Sequence, residues 1–395
     1  MFYLFILHRN SIFFNMINIV LTVGFYNKYK RRVHQSYILE YIWIDDRGNL
    51  RSKYRTAYPK FDSMGNAGSI TAEDWNYDDG YKASTENSEI ALFPVAHYAN
   101  PFFEPGRAFL ILCETRRGDG TPTDTNFRCR AVKIFEMGGG RGRKLDPWFG
   151  IEQEYFIMQS RGTQVSDKPL LFSQHEDTSS CRFVPLEPQG DNCGVGIRHV
   201  TLRKLAEKHY EYCLQAGLRI SGINVVVAPS QWEFQIGPCS CIDAGDELWV
   251  ARYILHKLGE EFGVCISFKP KPVPNPWNGS GLHTNFSTEE SRNKNGLKCI
   301  YKYIDRLSKK HAEHIRVYGD NSQRLTGTCE TSDFHTFSFA GGDRGASIRI
   351  PSSVLKAGCG YLEDRRPASD ADPYRVIAAI FSSACIYDEG DYEPA

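Results

Sequence analysis

The chain is 395 residues long, 41% apolar and 13% aromatic, enough for a sizeable core and more typical of two domains than of one. Lys plus Arg and Asp plus Glu each total 47, so the net charge is zero and no global field recruits nucleic acid or an acidic membrane; the expected partner is a small molecule. The 12 cysteines include no CxxC pair and one CxC, Cys239 to Cys241, which argues against a zinc ribbon and for a reducing, cytoplasmic setting.

Residues 1–33 are apolar and aromatic, broken by His8, Arg9, Asn10 and Asn15, and end in a basic cluster. No unbroken apolar run reaches the ~18 residues of a membrane span. The stretch also lacks the Arg/Ser-rich character of a transit peptide and any small-residue cleavage site. It reads as an extension outside the fold, with organelle targeting as the alternative.

From Tyr37, YILEYIWIDDRGNLRSKYRT reads as strand, turn at Asp46-Arg47-Gly48-Asn49, and strand, the pattern of a hairpin. Apolar runs at Ile90–Val95 and Ala108–Cys113 add strands to a small β-rich domain over residues 34–121. RRGDGTPTDTN, residues 116–126, clusters Gly, Pro, Thr and Asp without periodicity and reads as a linker. A larger domain over residues 122–395 follows. Its helical patterns lie at 198–216, 246–262, 295–315 and 373–386, and its strands at 220–227, 231–236, 264–268, 283–287 and 347–350. This order supports an α+β fold with an antiparallel sheet. The GGGRGRK run at Gly138–Lys144 lacks the strand-loop-helix context and closing Ser/Thr of a phosphate loop, and is expected to be a surface loop.

Polar residues on the apolar strands carry the chemistry. PWFGIEQEYFIM places Glu152 and Glu154 two apart in a buried strand, so both face one side, about 6–7 Å from each other. Two carboxylates in a low dielectric repel and lose solvation worth several kcal/mol, so a cation, a shared proton or a metal ion must compensate. QWEFQIGP adds Glu233, SGLHTNFS adds His283, and GYLEDRRP adds Glu363 beside Arg365 and Arg366. Singly, each has an ordinary structural explanation. Together, four carboxylates and one imidazole exceed what structural pairing requires, and the set suits Mg²⁺ or Mn²⁺ rather than zinc or copper. Such ions hold phosphates and neutralise charge in phosphoryl transfer. Arg324, Arg344, Arg349, Arg365 and Arg366 supply planar forks for phosphate or carboxylate, and Arg349 alternates with Ile348 and Ile350.

The strings WIDDRGNLRSKYRT, WNYDDG, PWFGIEQEY, PSQWEFQIGP, NPWNGSGLHTNFS, RLTGTCETS, RGASIRIP and GYLEDRRPASDADP, in order from about Tyr37 to the C-terminus, resemble glutamine synthetase of the eukaryotic, short-chain type. The resemblance implies a small β-grasp-like N-terminal domain followed by a catalytic domain with a curved antiparallel sheet backed by helices. It also implies ligation of ammonia to L-glutamate with ATP through a γ-glutamyl phosphate. By motif, Glu152, His283 and Glu363 resemble ligands of the metal that orients the phosphates, and Glu154 and Glu233 those of the metal near glutamate. Asn278 and Gly279 match the glutamate-binding segment, with Arg324 and Arg344 reaching its carboxylates or the phosphoryl group. Arg349 and Arg365 match phosphate-binding arginines. Glu330 matches a flap acid, and Asp78 an aspartate given by the neighbouring subunit to ammonium. Trp148, Ser287 and Tyr361 match the adenine cleft. The family's sites lie between adjacent subunits, usually in two stacked pentamers.

Four departures follow. A glutamate expected seven residues after Glu233 to complete the substrate-side metal site is Ser240 here. Gly190-Asp191-Asn192-Cys193-Gly194 lacks the ammonium-site tyrosine, Asp79-Gly80-Tyr81-Lys82 replaces a compact turn, and Cys329 replaces the histidine before the flap acid. Two alternatives to an active ligase follow: a non-catalytic homologue of structural or regulatory use, and a same-fold ligase that takes another amine.

Overall fold

The computed structural model describes residues 19–21, 36–59, 70–78, 88–161, 164–169, 172–175, 182–185, 192–196, 202–274, 277–328 and 331–386. The Asp79–Lys82 loop, Gly190, Asp191, Cys329 and Glu330 lie outside them.

The expected hairpin is formed by β1 (Tyr37–Ile44) and β2 (Leu50–Ala57). Its turn is closed by Asp45, whose Oδ1 accepts from the Arg47 and Asn49 amides at 2.9 Å, while Gly48 takes the left-handed φ of +79°. With β3 (Trp75–Asp78), β4 (Glu89–Ala99) and β5 (Ala108–Arg117) it makes a five-stranded sheet ordered β2-β1-β5-β4-β3, in which β1 and β5 run parallel. Alternation gives β1 two working faces. Tyr37, Leu39, Tyr41 and Trp43 pack in a separate cluster with Ile70 and Ala72, while Ile42 joins the main core with Leu110 and Leu112. Among the described residues, part of the stretch expected outside the fold joins it: Ile19–Leu21, an apolar triplet, pairs antiparallel with Ile70–Ala72.

The link to the next unit is short and pinned. Beyond Arg117, Thr123 shares a 2.6 Å hydroxyl contact with Thr115, and Asn126 donates to the Thr115 carbonyl. Asn126 also caps α1 (Phe127–Leu145) by accepting from the Cys129 amide. This corrects the sequence expectation, because Gly138–Lys144 lies inside α1 rather than in a surface loop. The N-cap and the spacing of Ala131, Ile134 and Phe135, all buried, carry helical backbone through a run that propensity alone would break.

Phe172–His175 and Arg182–Pro185 pair with each other as a separate two-stranded ribbon, and nine other strands form a sheet around the long β6 (Trp148–Arg161). Its main path runs β7 (Ile220–Val225), β8 (Gln231–Ser240), β6, β10 (Leu282–Ser287), β13 (Leu362–Asp364), β12 (Ile348–Ile350) and β11 (Phe339–Gly341), while β9 (Cys265–Ser267) and Gln164–Pro169 pair β6 off it. All neighbours are antiparallel except β11 and β12. Helices α1, α2 (Arg203–Ala216), α3 (Asp243–Phe262), α4 (Leu297–Lys309), α5 (His311–Val317) and α6 (Pro373–Phe381) accompany the sheet. The helix expected over 295–315 is two, broken at Lys310, and the one expected to 386 continues beyond Phe381 as a π-turn. Along β6 the odd residues Phe149, Ile151, Tyr155 and Ile157 enter the main core, which leaves Glu152 and Glu154 on the other face. Two polar joints connect the sheets. Fully buried Glu40 of β1 accepts from Asn100 Nδ2 (2.6 Å), Lys257 Nζ (2.8 Å) and the Tyr253 hydroxyl. Arg128 bridges Glu114 (2.9 Å) and Asp246 (2.8 Å), the latter also bound by Tyr374 (2.7 Å).

Candidate active site

Strand register gathers the predicted carboxylates. Across β6, Glu152 faces His283 of β10 on one side and Gln235 of β8 on the other, and Glu154 faces Glu233 of β8. Glu363 of β13 faces Asn285 of β10 and Arg349 of β12. His283 Nδ1 lies 3.8 Å from both Glu152 Oε2 and Glu363 Oε1. Two groups result, Glu152-His283-Glu363 and Glu154-Glu233-His283, each with three donor atoms within 4.8 Å of one another. Among the described residues these are the only His/Cys/Asp/Glu groups so arranged.

The electrostatics differ within the cluster. Glu363 is compensated, accepting from Arg365 Nη1 at 2.5 Å and Arg349 Nη1 at 3.1 Å. Glu154 and Glu233 are like charges placed directly opposite, a pairing that destabilises a sheet. Burial, then the facing Glu154 and Glu152 carboxylates, push Glu233 well above the usual carboxylate range; burial also raises Glu154. Burial, with the Arg365 guanidinium beside it, holds His283 well below the usual imidazole range, so the ring is neutral and has a lone pair to give. A hard, oxygen-rich donor set with one imidazole and an uncompensated carboxylate pair fits a divalent cation of the Mg²⁺ or Mn²⁺ class.

Backbone contacts fix the floor. The Gly281 amide donates to Glu154 Oε2 at 2.6 Å, and the Glu154 amide donates to the Gly281 carbonyl at 3.1 Å. A Cβ at Gly281 would meet Arg324 Nη2 at 2.5 Å and His283 Nε2 at 2.7 Å, so only glycine allows this approach. Arg324 is buried, its guanidinium directed to Asn321 Oδ1, to the Arg365 and Arg366 carbonyls and to His283 Nε2 (3.4 Å). Asn278 and Gly279 are tied to Gln231 of β8, whose Nε2 donates to the Gly279 carbonyl at 2.9 Å. Arg344 meets the site through its backbone, its carbonyl accepting from Arg365 Nε at 3.0 Å.

Beside Glu152 opens a cleft of about 460 Å³, which brings Trp148, Ser287 and Tyr361 together and is lined also by Gln235, Asn285 and Arg292. Those last three were not singled out in the sequence. Arg292 lies 3.9 Å over the Trp148 ring and is steered by Asp146 Oδ2 (2.6 Å) and Ser287 Oγ (3.1 Å). Asn285 Nδ2 donates to Glu152 Oε1 at 2.8 Å. Arg292 follows the capping box at Thr288 and Ser291, the one local signal that could have fixed its direction.

One expected neighbour stands elsewhere. Ser240 does not join the Glu154-Glu233 group: it lies seven residues along the same strand, opposite Trp148, and seven extended residues span about 23 Å. Its hydroxyl instead meets Asp243 Oδ2 at 3.4 Å. The residue that faces Glu233 from β7 is the neutral Asn224. Asp78 ends β3, the edge strand of the five-stranded sheet, paired to Glu89.

Comparison with known proteins identifies the family and the fold. A family model described as the glutamine synthetase catalytic domain matches residues 128–315. Glutamine synthetase of Eremothecium gossypii is 47% identical over 352 residues, 88% of this chain and 89% of the relative. The Tuber borchii enzyme is 46% identical, covering 89% of this chain and 92% of its own, and the Saccharomyces cerevisiae enzyme 46%, covering 88% and 89%. A cryo-EM structure of Plasmodium falciparum glutamine synthetase superposes with a TM-score of 0.67 at 18% identity, over 91% of this chain and 73% of that one, a likeness of fold. The chain belongs to the glutamine synthetase family.

Proposed function

We infer that this protein is a glutamate–ammonia ligase, joining ammonia to L-glutamate at the expense of ATP. The carrying observation is that Glu152, Glu154, Glu233, His283 and Glu363 converge on one face in a chain 46% identical to glutamine synthetases over most of its length. Family membership implies ATP and a divalent metal. Our finer reading is that the metal is Mg²⁺ or Mn²⁺, held by Glu152, His283 and Glu363 on the nucleotide side and by Glu154 and Glu233 on the glutamate side. When bound, it would offset the negative charge of the phosphates. The protein's own groups do the rest. Trp148, Arg292, Ser287 and Tyr361 receive the base, and Arg349 and Arg365, already aimed at Glu363, face the transferred phosphoryl group. Asn278 and Gly279 seat glutamate, with Arg324 and Arg344 set behind and beside it. Glu330 is assigned to shielding the acyl phosphate from water and taking the proton of the attacking nitrogen.

Asp78, on the edge of the five-stranded sheet, is assigned to ammonium in the site of an adjacent subunit, within a homo-oligomer of two pentameric rings. The division into a domain over residues 34–121 and a catalytic domain over 122–395 belongs to the same reading. So does a cytoplasmic location; no helix among the described residues is long and apolar enough to cross a membrane. The test is glutamine formation from glutamate, ammonia and ATP by the purified chain, with Mg²⁺ and with Mn²⁺. Turnover is expected with both ADP and phosphate released. ATP binding by intact rings without any glutamine would overturn the assignment in favour of a non-catalytic homologue, and product with another amine alone would reassign the nucleophile.

A further inference from the structure

Between Glu152 and Glu154 stands Gln153, completely buried and facing the other side of β6. Its Nε2 donates to the Glu154 carbonyl (2.9 Å) and to the Ser369 carbonyl (3.0 Å), and its Oε1 accepts from Arg252 Nε (2.8 Å). Arg252 comes from α3 and is 2% exposed. Its Nη2 donates to the Ser369 carbonyl (2.9 Å) and the Ala371 carbonyl (3.0 Å), and its guanidinium lies 4.8 Å from the Trp249 ring and 5.2 Å from the Phe268 ring. A buried cation whose direct bonds all go to carbonyl oxygens is an expensive way to hold a fold together: burial outweighs those dipoles and the nearby Asp372 and Asp370 charges and pulls the guanidinium down to about 10.

What these bonds connect gives the arrangement its meaning. The Ser369 amide donates to the Ser280 carbonyl (3.1 Å), and the Leu282 amide, next to His283, donates to the Pro367 carbonyl (2.9 Å). Pro367 and Ser369 continue the chain just past Glu363 and Arg365. Ser369 is thus the residue where the strand of Glu152 and Glu154, the segment leading into the strand of His283 and the segment beyond Glu363 are bound together: its amide donates to Ser280, and its carbonyl accepts from both Gln153 and Arg252. We propose that Gln153 and Arg252 are positioning residues that set the spacing of the metal-binding carboxylates from behind the sheet.

This rests on the metal reading above, and the experiment separates the two. Mn²⁺ binding to the purified full chain is measured directly, by the loss of free-ion electron paramagnetic resonance signal, with a fluorescent nucleotide titration without metal alongside. Gln153→Met keeps the volume and removes both donors; it is expected to weaken Mn²⁺ binding by roughly 10-fold or more, as outer-shell changes do, while metal-free nucleotide affinity stays put. Arg252→Lys keeps the charge but loses the three-carbonyl fork, and is expected to shift Mn²⁺ affinity in the same direction. Arg128→Met, which breaks the separate Glu114-Arg128-Asp246 network, is expected to lower the unfolding temperature and leave Mn²⁺ affinity unchanged. Unaltered Mn²⁺ affinity in Gln153→Met, or an equal loss in Arg128→Met, overturns the proposal. Absence of Mn²⁺ binding by the unaltered chain overturns the metal reading itself.

Discussion

Glu363 and Asp364 are consecutive residues of one strand, and their side chains live under opposite rules. Asp364, itself without exposure, points behind the sheet into a buried network: Arg366 grips it at 2.6 and 2.9 Å, Tyr318 donates to it at 2.9 Å, and His311 and His314 accept from Arg366 at 3.2 and 3.1 Å. Burial pushes the Asp364 carboxyl up, yet the Arg366 charge and bonds outweigh it and hold the group below its usual range. Glu363 points forward, towards Glu152 and His283, on the face where Glu233 and Glu154 oppose each other. Behind the sheet the Asp364 carboxylate is fully partnered, and in front the facing Glu154 and Glu233 are left in debt to a cation. Period-two alternation separates stability from function within single strands.

The widest test of that contrast is pH. Behind and around the sheet, burial holds His314 down to about 3 and His209 and His256 down to about 4. Their contribution is complete above the unfolded imidazole value near 6.5 and is lost as pH falls towards the folded values, roughly 2 kcal/mol per ring by pH 5. The front carboxylates Glu154 and Glu233 run the other way, because their folded values are raised: their contribution is present below the unfolded carboxylate range and is lost as pH rises through the folded values. Unfolding midpoints of the metal-free protein from pH 5 to 8 should therefore gain most from added Mn²⁺ at the alkaline end, while the acid loss below pH 6.5 persists. A uniform gain across that range would erase the contrast.

Substitution sharpens it further. Asp364→Ala leaves Arg366 buried without its counter-charge, and a loss of about 3–5 kcal/mol in denaturant unfolding is expected. On the front, Glu233→Gln removes one of two facing like charges, so the metal-free protein should gain up to ~1 kcal/mol while glutamine formation falls. A destabilisation by Glu233→Gln matching that of Asp364→Ala would mean both faces serve the fold alike.

The sequence disclosed the front of the sheet better than the back. Glu152 and Glu154 announce themselves because charge in an apolar strand has few explanations, and the spacing of two fixes their common face. The register that brings Glu233 and His283 to them is not local, and Ser240 shows the cost: the family resemblance placed beside the cluster a position that the fold carries towards Trp148. Gln153 and Arg252 gave no signal, since their meaning lies in a carbonyl 216 residues from Gln153. Helix α1 was hidden by three consecutive glycines, whose low propensity is overridden by capping at Asn126 and packing of Ala131, Ile134 and Phe135. Arg292 looks like a surface residue until Trp148 is beneath it.

Glu40 carries a consequence for how the molecule comes apart. An apolar joint between the two sheets could slide or open by degrees, each step losing a little contact. A carboxylate with no exposure, met by Asn100, Tyr253 and Lys257, has no such intermediate states: pulled from its partners before water arrives, it bears the full cost of a bare buried charge. The joint is therefore built as a latch with two positions, and the small sheet and the large one are expected to melt in a single cooperative event.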